Sequence, residues 1–400
     1  MISLCVTLQS VGEPLMLVGQ PTLEADFFRS NDAGSLTFRV GDQTRDVLLN
    51  QLVSWATVRP NVTRGEILLV DGSQIVLADS WTGKPTWELL SDVVNVTTHS
   101  FGRINVPRNL VRAILINAPN GIVPRWRFLD ERIKPMRSSS SLLLNSGDRW
   151  DGKQIASKIS AAGQHLISIQ SNITKQRLES QLTELSAIVL NPSDANGRET
   201  VDLWIGTRDG SLLGAKSLVA DDSELRIVLS CGVQLNSKRR NGDVAYLRST
   251  RSPIEYLSDR NDAKYRHEPY LSVEWPYRRD RNVLARPLRV GGQIYAKGLG
   301  VTTATRLSYL VDRSQYQRFV ASVAIDTAAA GRGSAIFRVY LRSGESWKLT
   351  FESPVVRGGD QPLPVTVDLE EATTHLALVT DYADRGDELD YANWLDARLE

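Results

Sequence analysis

The chain has 400 residues and a mass of 44.4 kDa, more than one ordinary domain, so length alone predicts two or three. Hydrophobic residues make up 42% of it and charged residues 23%, which excludes a disordered chain, a collagen-like repeat and a coiled coil. Lys plus Arg number 47 against 46 Asp plus Glu, a formal charge of +1, which argues against a dedicated nucleic-acid binder with its basic excess.

Residues 1–8 are mildly apolar but carry no basic leader, and they read either as a strand or as the remnant of a trimmed export signal. No apolar run approaches the roughly 20 residues of a membrane helix. Cys5 and Cys231 make neither a disulfide framework nor a zinc pattern.

Internal repetition follows. Ile67-Leu68-Leu69-Val70-Asp71-Gly72, Leu142-Leu143-Leu144-Asn145-Ser146-Gly147-Asp148 and Leu203-Trp204-Ile205-Gly206-Thr207-Arg208-Asp209-Gly210 each open with an apolar run and a Gly-containing turn. Alternating strands and a closing apolar segment come after each. A more divergent copy runs from Leu15 through Phe38 to Trp55. Period-2 alternation with Asp-Gly or Ser-Gly turns is the pattern of antiparallel hairpins. Residues 1–250 are therefore predicted to be a repeated β region of hairpins or small barrels, with approximate copies at 14–58, 66–117, 141–190 and 201–248. Residues 118–141, with three prolines and four closing serines, and 191–200 read as connectors. No long amphipathic helix is predicted; 178–190 is the best candidate and fits a closing strand equally well. Asp71, Asp148 and Asp209, recurring at Gly-containing turns, are expected to serve turn chemistry rather than acid catalysis.

From about residue 249 the texture changes. A segment dense in Arg, Asp, Pro and Tyr leads into clean strands, among them a hairpin at 288–295 with a Gly-Gly turn and an alternating strand at 319–325. Short strands with turn signals over this length indicate a β-sandwich. The whole chain is thus read as all-β, the repeated region being followed by a jelly-roll sandwich at 252–400.

The second part carries Trp275-Pro276-Tyr277-Arg278-Arg279-Asp280, then Gly291-Gly292-Gln293-Ile294-Tyr295-Ala296-Lys297-Gly298-Leu299-Gly300. Ala324-Ile325-Asp326, Phe337-Arg338-Val339-Tyr340, Arg357-Gly358-Gly359-Asp360 and Asp390-Tyr391-Ala392-Asn393-Trp394-Leu395-Asp396-Ala397 follow in order. In these motifs residues 256–400 resemble the NPCBM family of carbohydrate-binding modules. That resemblance implies a galactose-binding-like jelly roll and a non-catalytic, glycan-binding role. Two positions depart from the family pattern. Thr302 and Thr303 stand where a histidine commonly follows the Lys-Gly-x-Gly turn, and Tyr391 and Asn393 replace a histidine and an aspartate in the closing motif. Neither threonine nor tyrosine reproduces the hydrogen-bonding geometry of an imidazole.

Sugars are read by stacking on aromatic faces and by side chains that bond hydroxyl pairs, projecting from loops at one end of a sandwich. Tyr391, Asn393, Arg357, Asp360, Lys297 and Arg306 are the candidates, while Trp394 is expected in the core. Asp381, Asp384, Asp387 and Asp390, with Glu388, crowd five carboxylates into ten residues. They could supply hard oxygens to one structural calcium or form a polar surface loop. Arg385-Gly386-Asp387 within that loop is a chance tripeptide match, and Arg278-Arg279-Asp280-Arg281 reads as an ion-paired segment.

His99, His165, His267 and His375 are scattered without metal-ligand spacing, and no GxSxG, Walker A or dinucleotide fingerprint is present. The reading that follows is non-catalytic glycan recognition in a bacterial envelope, periplasm, cell surface or secreted setting. Its partners would be a glycan or glycoconjugate and other envelope proteins, and no nucleic acid. One alternative is a structural or protein-interaction scaffold with a degenerate sugar site. Another is a glycoside hydrolase whose two carboxylates lie unrecognised in the repeats.

Overall fold

The computed structural model describes residues 12–31, 34–61, 65–78, 86–133, 139–191, 200–237, 243–269, 274–384 and 386–400. Residues 1–8, most of the 191–200 connector and Arg385 of the tripeptide lie outside them. The chain divides into two compact units, 1–252 and 253–400. The all-β expectation holds in both, and among the described residues no helix is long and apolar enough to cross a membrane.

The first unit repeats one device. Each copy is an antiparallel meander whose last strand returns to pair with its first. Glu13–Leu17 pairs with Leu52–Trp55, Glu66–Leu69 with Val111–Leu115, Ser140–Leu144 with Leu185–Val189, and Leu203–Thr207 with Val244–Ser249. Single 3₁₀ turns, Arg108–Leu110 and Leu182–Glu184, lead into two of these closing strands. The closing strands then pair in twos across copies: Ala113, Ile114 and Leu115 face Val189, Ile188 and Ala187, and Trp55 faces Leu247. A strand flanked on both edges and covered on both faces is buried along its whole length. Leu185–Val189 is buried throughout. One apolar core containing Leu15, Phe38, Ile75, Ile114, Ile169 and Leu213 runs through all four copies.

The repeated turns are hairpin corners. Gly72, Gly147 and Gly210 sit at φ between +93° and +95°, a region that a side chain would oppose. Asp71 and Asp209 precede their glycines and each accept the N–H two residues on, from Ser73 and Ser211 at 2.9 Å. Hydrogen-bond register puts Ser146 at the equivalent place, two residues before Asp148, so the third copy fills the aspartate's position with serine. The serines behind the other two turns are exchanged between copies. Ser211 Oγ accepts from Val76 N at 2.9 Å, and Ser73 Oγ accepts from Gly214 N at 3.0 Å. Burial alone would raise the Asp209 carboxyl, but hydrogen bonds from Thr207, Ser100 and Ser211 hold it below its ordinary value. It is a fixed structural anion. Cys231, beside Asp71, has its thiol pushed up to about 12 by burial and is chemically quiet.

One connector reading needs correction. Residues 118–141 contain the helix Ile122–Glu131, and Pro124 stands in its first turn, where a missing N–H costs nothing. Read as a breaker, that proline concealed the helix. Residues 178–190 form two strands around a 3₁₀ turn rather than a helix.

The second unit is a sandwich of two antiparallel sheets. One runs Arg278–Arg279, Gly298–Val301, Ala392–Leu399, Arg318–Ile325, Leu363–Asp368. The other runs Lys264–His267, Thr305–Leu310, Thr373–Tyr382, Ser334–Ser343, Ser346–Glu352. The 288–295 hairpin forms, with Gly291 and Gly292 both at positive φ. Phe319, Phe337, Leu378 and Trp394 belong to the core cluster of this unit. Trp394 is a core residue as expected: its ring meets Phe337 edge-on at 5.2 Å and its indole N–H donates to Thr380 Oγ1 at 3.0 Å.

Candidate functional site

The loops at one end of this sandwich gather side chains from distant parts of the chain. Strand pairing sets His267 opposite Thr305, which brings the imidazole to the turn that follows Gly298–Val301. There its Nε2 meets Thr302 Oγ1 at 3.2 Å, while Nδ1 accepts the Trp275 backbone N–H at 3.3 Å. A ring nitrogen that accepts a backbone N–H must be unprotonated, so the neutral imidazole carries its proton on Nε2 and donates to Thr302. Burial lowers the His267 pKa, with Glu274 and Asp387 pulling the other way. The Trp275 carbonyl accepts the Tyr265 hydroxyl, and the half-buried Trp275 ring lies 6.4 Å from Tyr391 at 50°. The result is a tilted aromatic pair with an imidazole and a hydroxyl beside it.

Asp390 anchors the loop that presents Tyr391. Its Oδ1 accepts Ser334 N–H at 2.7 Å and its Oδ2 accepts the Thr303 hydroxyl at 3.1 Å. Close packing shapes the same loop: a Cβ on Gly333 would stand 2.3 Å from the Leu389 carbonyl oxygen. Burial pushes the Asp390 carboxyl up to about 6; the Ser334 and Thr303 hydrogen bonds oppose this, and Asp387 and Asp384 add to it. An acid whose folded pKa is raised favours the fold below its unfolded pKa, and that contribution is lost as pH rises through the folded value. Asp390→Asn, a neutral isostere that can still accept from Ser334, is therefore expected to remove about 2 kcal/mol of pH-dependent stability between pH 4 and pH 7. Hydrogen exchange of residues 386–392 across that range reads it, and an unchanged pH dependence in the variant would refute the assignment.

The sequence candidates fall into different places. Tyr391 is at this end, and Arg357 and Asp360 form a turn on its rim. The Arg357 backbone N–H donates to Asp360 at 2.8 Å, and the Arg357 guanidinium meets Asp384 at 3.2 Å. Asn393 does not face solvent as expected: it is 0% exposed and donates to Asp326 Oδ2 at 2.8 Å. Strand alternation puts residue 393 on the face opposite Trp394, and that face is covered here by the 282–289 segment, whose Asn282 and Arg289 share Asp326 with Asn393. Lys297 is held between Asp259 and Asp280; it precedes the Gly298–Val301 strand that Thr302 follows, so a strand length of about 13 Å separates it from the cluster. Arg306 lies on the outer face of the second sheet.

The acidic stretch does not assemble a calcium cage as placed. Asp381 pairs with Arg338, Asp384 with Arg357, and Asp390 with Ser334 and Thr303. Among the described residues no group of three or more His, Cys, Asp or Glu is positioned to hold a metal ion. Arg279 of the basic segment donates to the neutral Asn261 side chain and to the Arg260 carbonyl, and the segment's ion pair is made by Asp280 with Lys297. His267 and Trp275 were missed as site residues. More than 110 residues separate each of them from Tyr391, and only sheet pairing joins them.

Residues 255–400 match the family model of the NPCBM/NEW2 domain. A protein of Renibacterium salmoninarum named as an endo-alpha-N-acetylgalactosaminidase is 34% identical over 114 residues, which is 28% of this chain and 7% of that protein. The chain therefore matches only a small part of that relative's length. Among solved structures, the CBM51 module of a Clostridium perfringens GH95 protein with methyl-galactose is 21% identical, covering 37% of this chain and 99% of that one at a TM-score of 0.32. The second CBM51 module with the INT domains of C. perfringens ZmpB, bound to GlcNAc, is 24% identical, covering 46% and 38% at a TM-score of 0.32. The second part of the chain, residues 255–400, is an NPCBM/NEW2 domain.

Proposed function

We propose that the 253–400 unit is a non-catalytic glycan-binding module, and that it takes a sugar at the end cluster of Trp275, Tyr391, His267 and Thr302. The observation that carries this reading is the partly open Trp275–Tyr391 pair flanked by a neutral imidazole and a hydroxyl. Aromatic faces bind the apolar side of a pyranose, and the polar neighbours bond its hydroxyls. His267 arrives from another strand at the very place where Thr302 replaced the family's histidine, so the departure leaves an imidazole in the site. The family match supports the same class of ligand.

The first unit then acts as a rigid spacer or contact surface for other envelope proteins. Its repeated aspartates Asp71 and Asp209 are spent on turns and on contacts between copies. An extracellular or cell-surface setting, where glycans are displayed, is part of this proposal. The full chain is expected to bind at least one member of a panel holding galactose, N-acetylglucosamine and N-acetylgalactosamine glycosides. Tyr391→Ala and Trp275→Ala should each weaken that binding at least tenfold without changing the melting temperature by more than about 2 °C. Full affinity in both variants would remove the site. Hydrolysis of the same glycosides by the wild type would restore the hydrolase reading.

A further inference from the structure

The outer face of the Lys264–His267 to Ser346–Glu352 sheet holds an open groove of about 460 Å³, lined by Arg306, Tyr340, Trp347, Val379, Asp381 and Tyr382 among others. Its lining is mostly on strands, and none of His267, Trp275, Thr302 and Tyr391 of the loop cluster takes part in it, although Glu268 and Ala304 at one end adjoin that cluster in sequence. Register places Arg266, Arg306, Val379 and Arg338 on one row across the sheet, and Leu310, His375, Arg342 and Trp347 on another. Such a face would ordinarily be polar on its water side. Here Leu310 is 56% exposed, Leu349 44% and Trp347 39%.

The charges on this face are unbalanced. Arg338 is closed by Glu352 and Asp381, and Arg266 by Glu268. Lys264, Arg306 and Arg342 have no carboxylate partner among the described residues. Burial, and then Arg342 and Lys264, depress the His375 pKa, so the two cations act on the patch from both sides of that ring. Trp347 packs edge-on against His375 at 6.1 Å.

We propose that this face is a second saccharide site, one that takes an internal stretch of an anionic glycan chain. The indole of Trp347 and the ring of Tyr340 offer stacking surfaces, and Arg306, Arg342 and Lys264 meet carboxylate or sulfate groups spaced along the chain. Four strands, from Thr305–Leu310 to Ser346–Glu352, span about 14 Å between their axes, room for an oligosaccharide rather than one ring. A peptide fits less well. The three central strands have both edges hydrogen-bonded, so none can add an extended chain, and the apolar positions are interrupted by arginines where a helix would need a continuous stripe.

The test uses the full chain with hexamers of polygalacturonate, polysialic acid and chondroitin sulfate, methyl-esterified hexagalacturonate as the neutral control, and poly-glutamate as the anionic non-sugar. At least one anionic hexamer is expected to bind, with affinity falling as salt rises. Trp347→Ala and the pair Arg306→Ala/Arg342→Ala should each weaken it at least tenfold, and the arginine pair should also flatten the salt dependence. Tyr391→Ala should leave it unchanged, which separates this site from the loop cluster. The His375 imidazole should titrate upward when the anion is bound. No binding by any anionic hexamer overturns the proposal, as does equal binding of poly-glutamate or full affinity in Trp347→Ala.

Discussion

Asp326→Ala is expected to destabilise the 253–400 unit by about 3–5 kcal/mol. The carboxylate is 2% exposed and accepts four N–H groups: Asn282 Nδ2 at 3.0 Å and Ala328 N at 2.9 Å on Oδ1, Asn393 Nδ2 at 2.8 Å and Arg289 N at 3.1 Å on Oδ2. Those donors come from the 282–286 turn, the 288–295 hairpin, the 3₁₀ turn Thr327–Ala329 and the closing strand. One anion therefore ties together four segments that have few other polar contacts in common. Removing it leaves buried donors with no acceptor, and an unmade buried hydrogen bond costs far more than a made one contributes. Asp326→Asn tests the charge apart from the shape, because its amide oxygen can serve one pair of donors while its NH₂ opposes the other. Hydrogen exchange read separately in residues 253–400 and 1–252 should show faster opening in the second unit alone. Exchange unchanged in both variants would mean that the four segments hold each other by apolar packing.

Arg125→Ala should cost the first unit a similar amount, about 3–5 kcal/mol at neutral pH. Arg125, on the Ile122–Glu131 helix, places Nη2 at 2.8 Å and Nε at 3.1 Å from Glu66 Oε1, and both side chains are fully buried. Burial raises the Glu66 carboxyl, and Arg125 with Asn61 pulls it back only in part. A group raised on folding favours the fold at low pH and loses that contribution as pH rises through its folded value. Without Arg125 the Glu66 pKa rises further, so the variant's deficit should be largest at neutral pH and shrink as pH falls toward the wild-type folded value, which burial already holds above 4.5. Glu66→Gln added to Arg125→Ala should recover much of the loss, since it removes the stranded charge. Denaturant titrations of the single and double variants at pH 4 and pH 7 measure both effects. A pH-independent deficit, or no recovery in the double variant, would assign the loss to packing alone.

Much of the fold was legible because its causes are local. Period-2 alternation and Gly-containing turns mark hairpins wherever they occur, so Gly291-Gly292 and the corners at Gly72, Gly147 and Gly210 could be read directly. The helix at 122–131 was hidden by Pro124, since a proline in a first turn and a proline in a connector look alike until the hydrogen-bonding partners are known. The turn register of the third copy was misread for a related reason: Ser146 and Asp148 can each cap such a turn, and only the backbone bonds from Gly147 to Leu144 decide between them.

The site divides in the same way. The closing motif drew attention to Tyr391 and Trp394 because aromatic residues in a loop-and-strand signature have few possible roles, and one proved to be half-buried against the core and the other fully buried. Asn393 was assigned to the wrong side because polar type says nothing about direction; Asp326, 67 residues away, is what holds it inward. His267 and Trp275 entered the cluster only through the pairing of Lys264–His267 with Thr305–Leu310. The sequence by itself thus determined the strands, their turns and the family of the second part, all of which depend on neighbours along the chain. Tertiary structure decided which carboxylates serve as buried tethers, which cations lack a partner and which rings share a surface. Those are properties of distance in space, and sheet pairing between remote segments creates them.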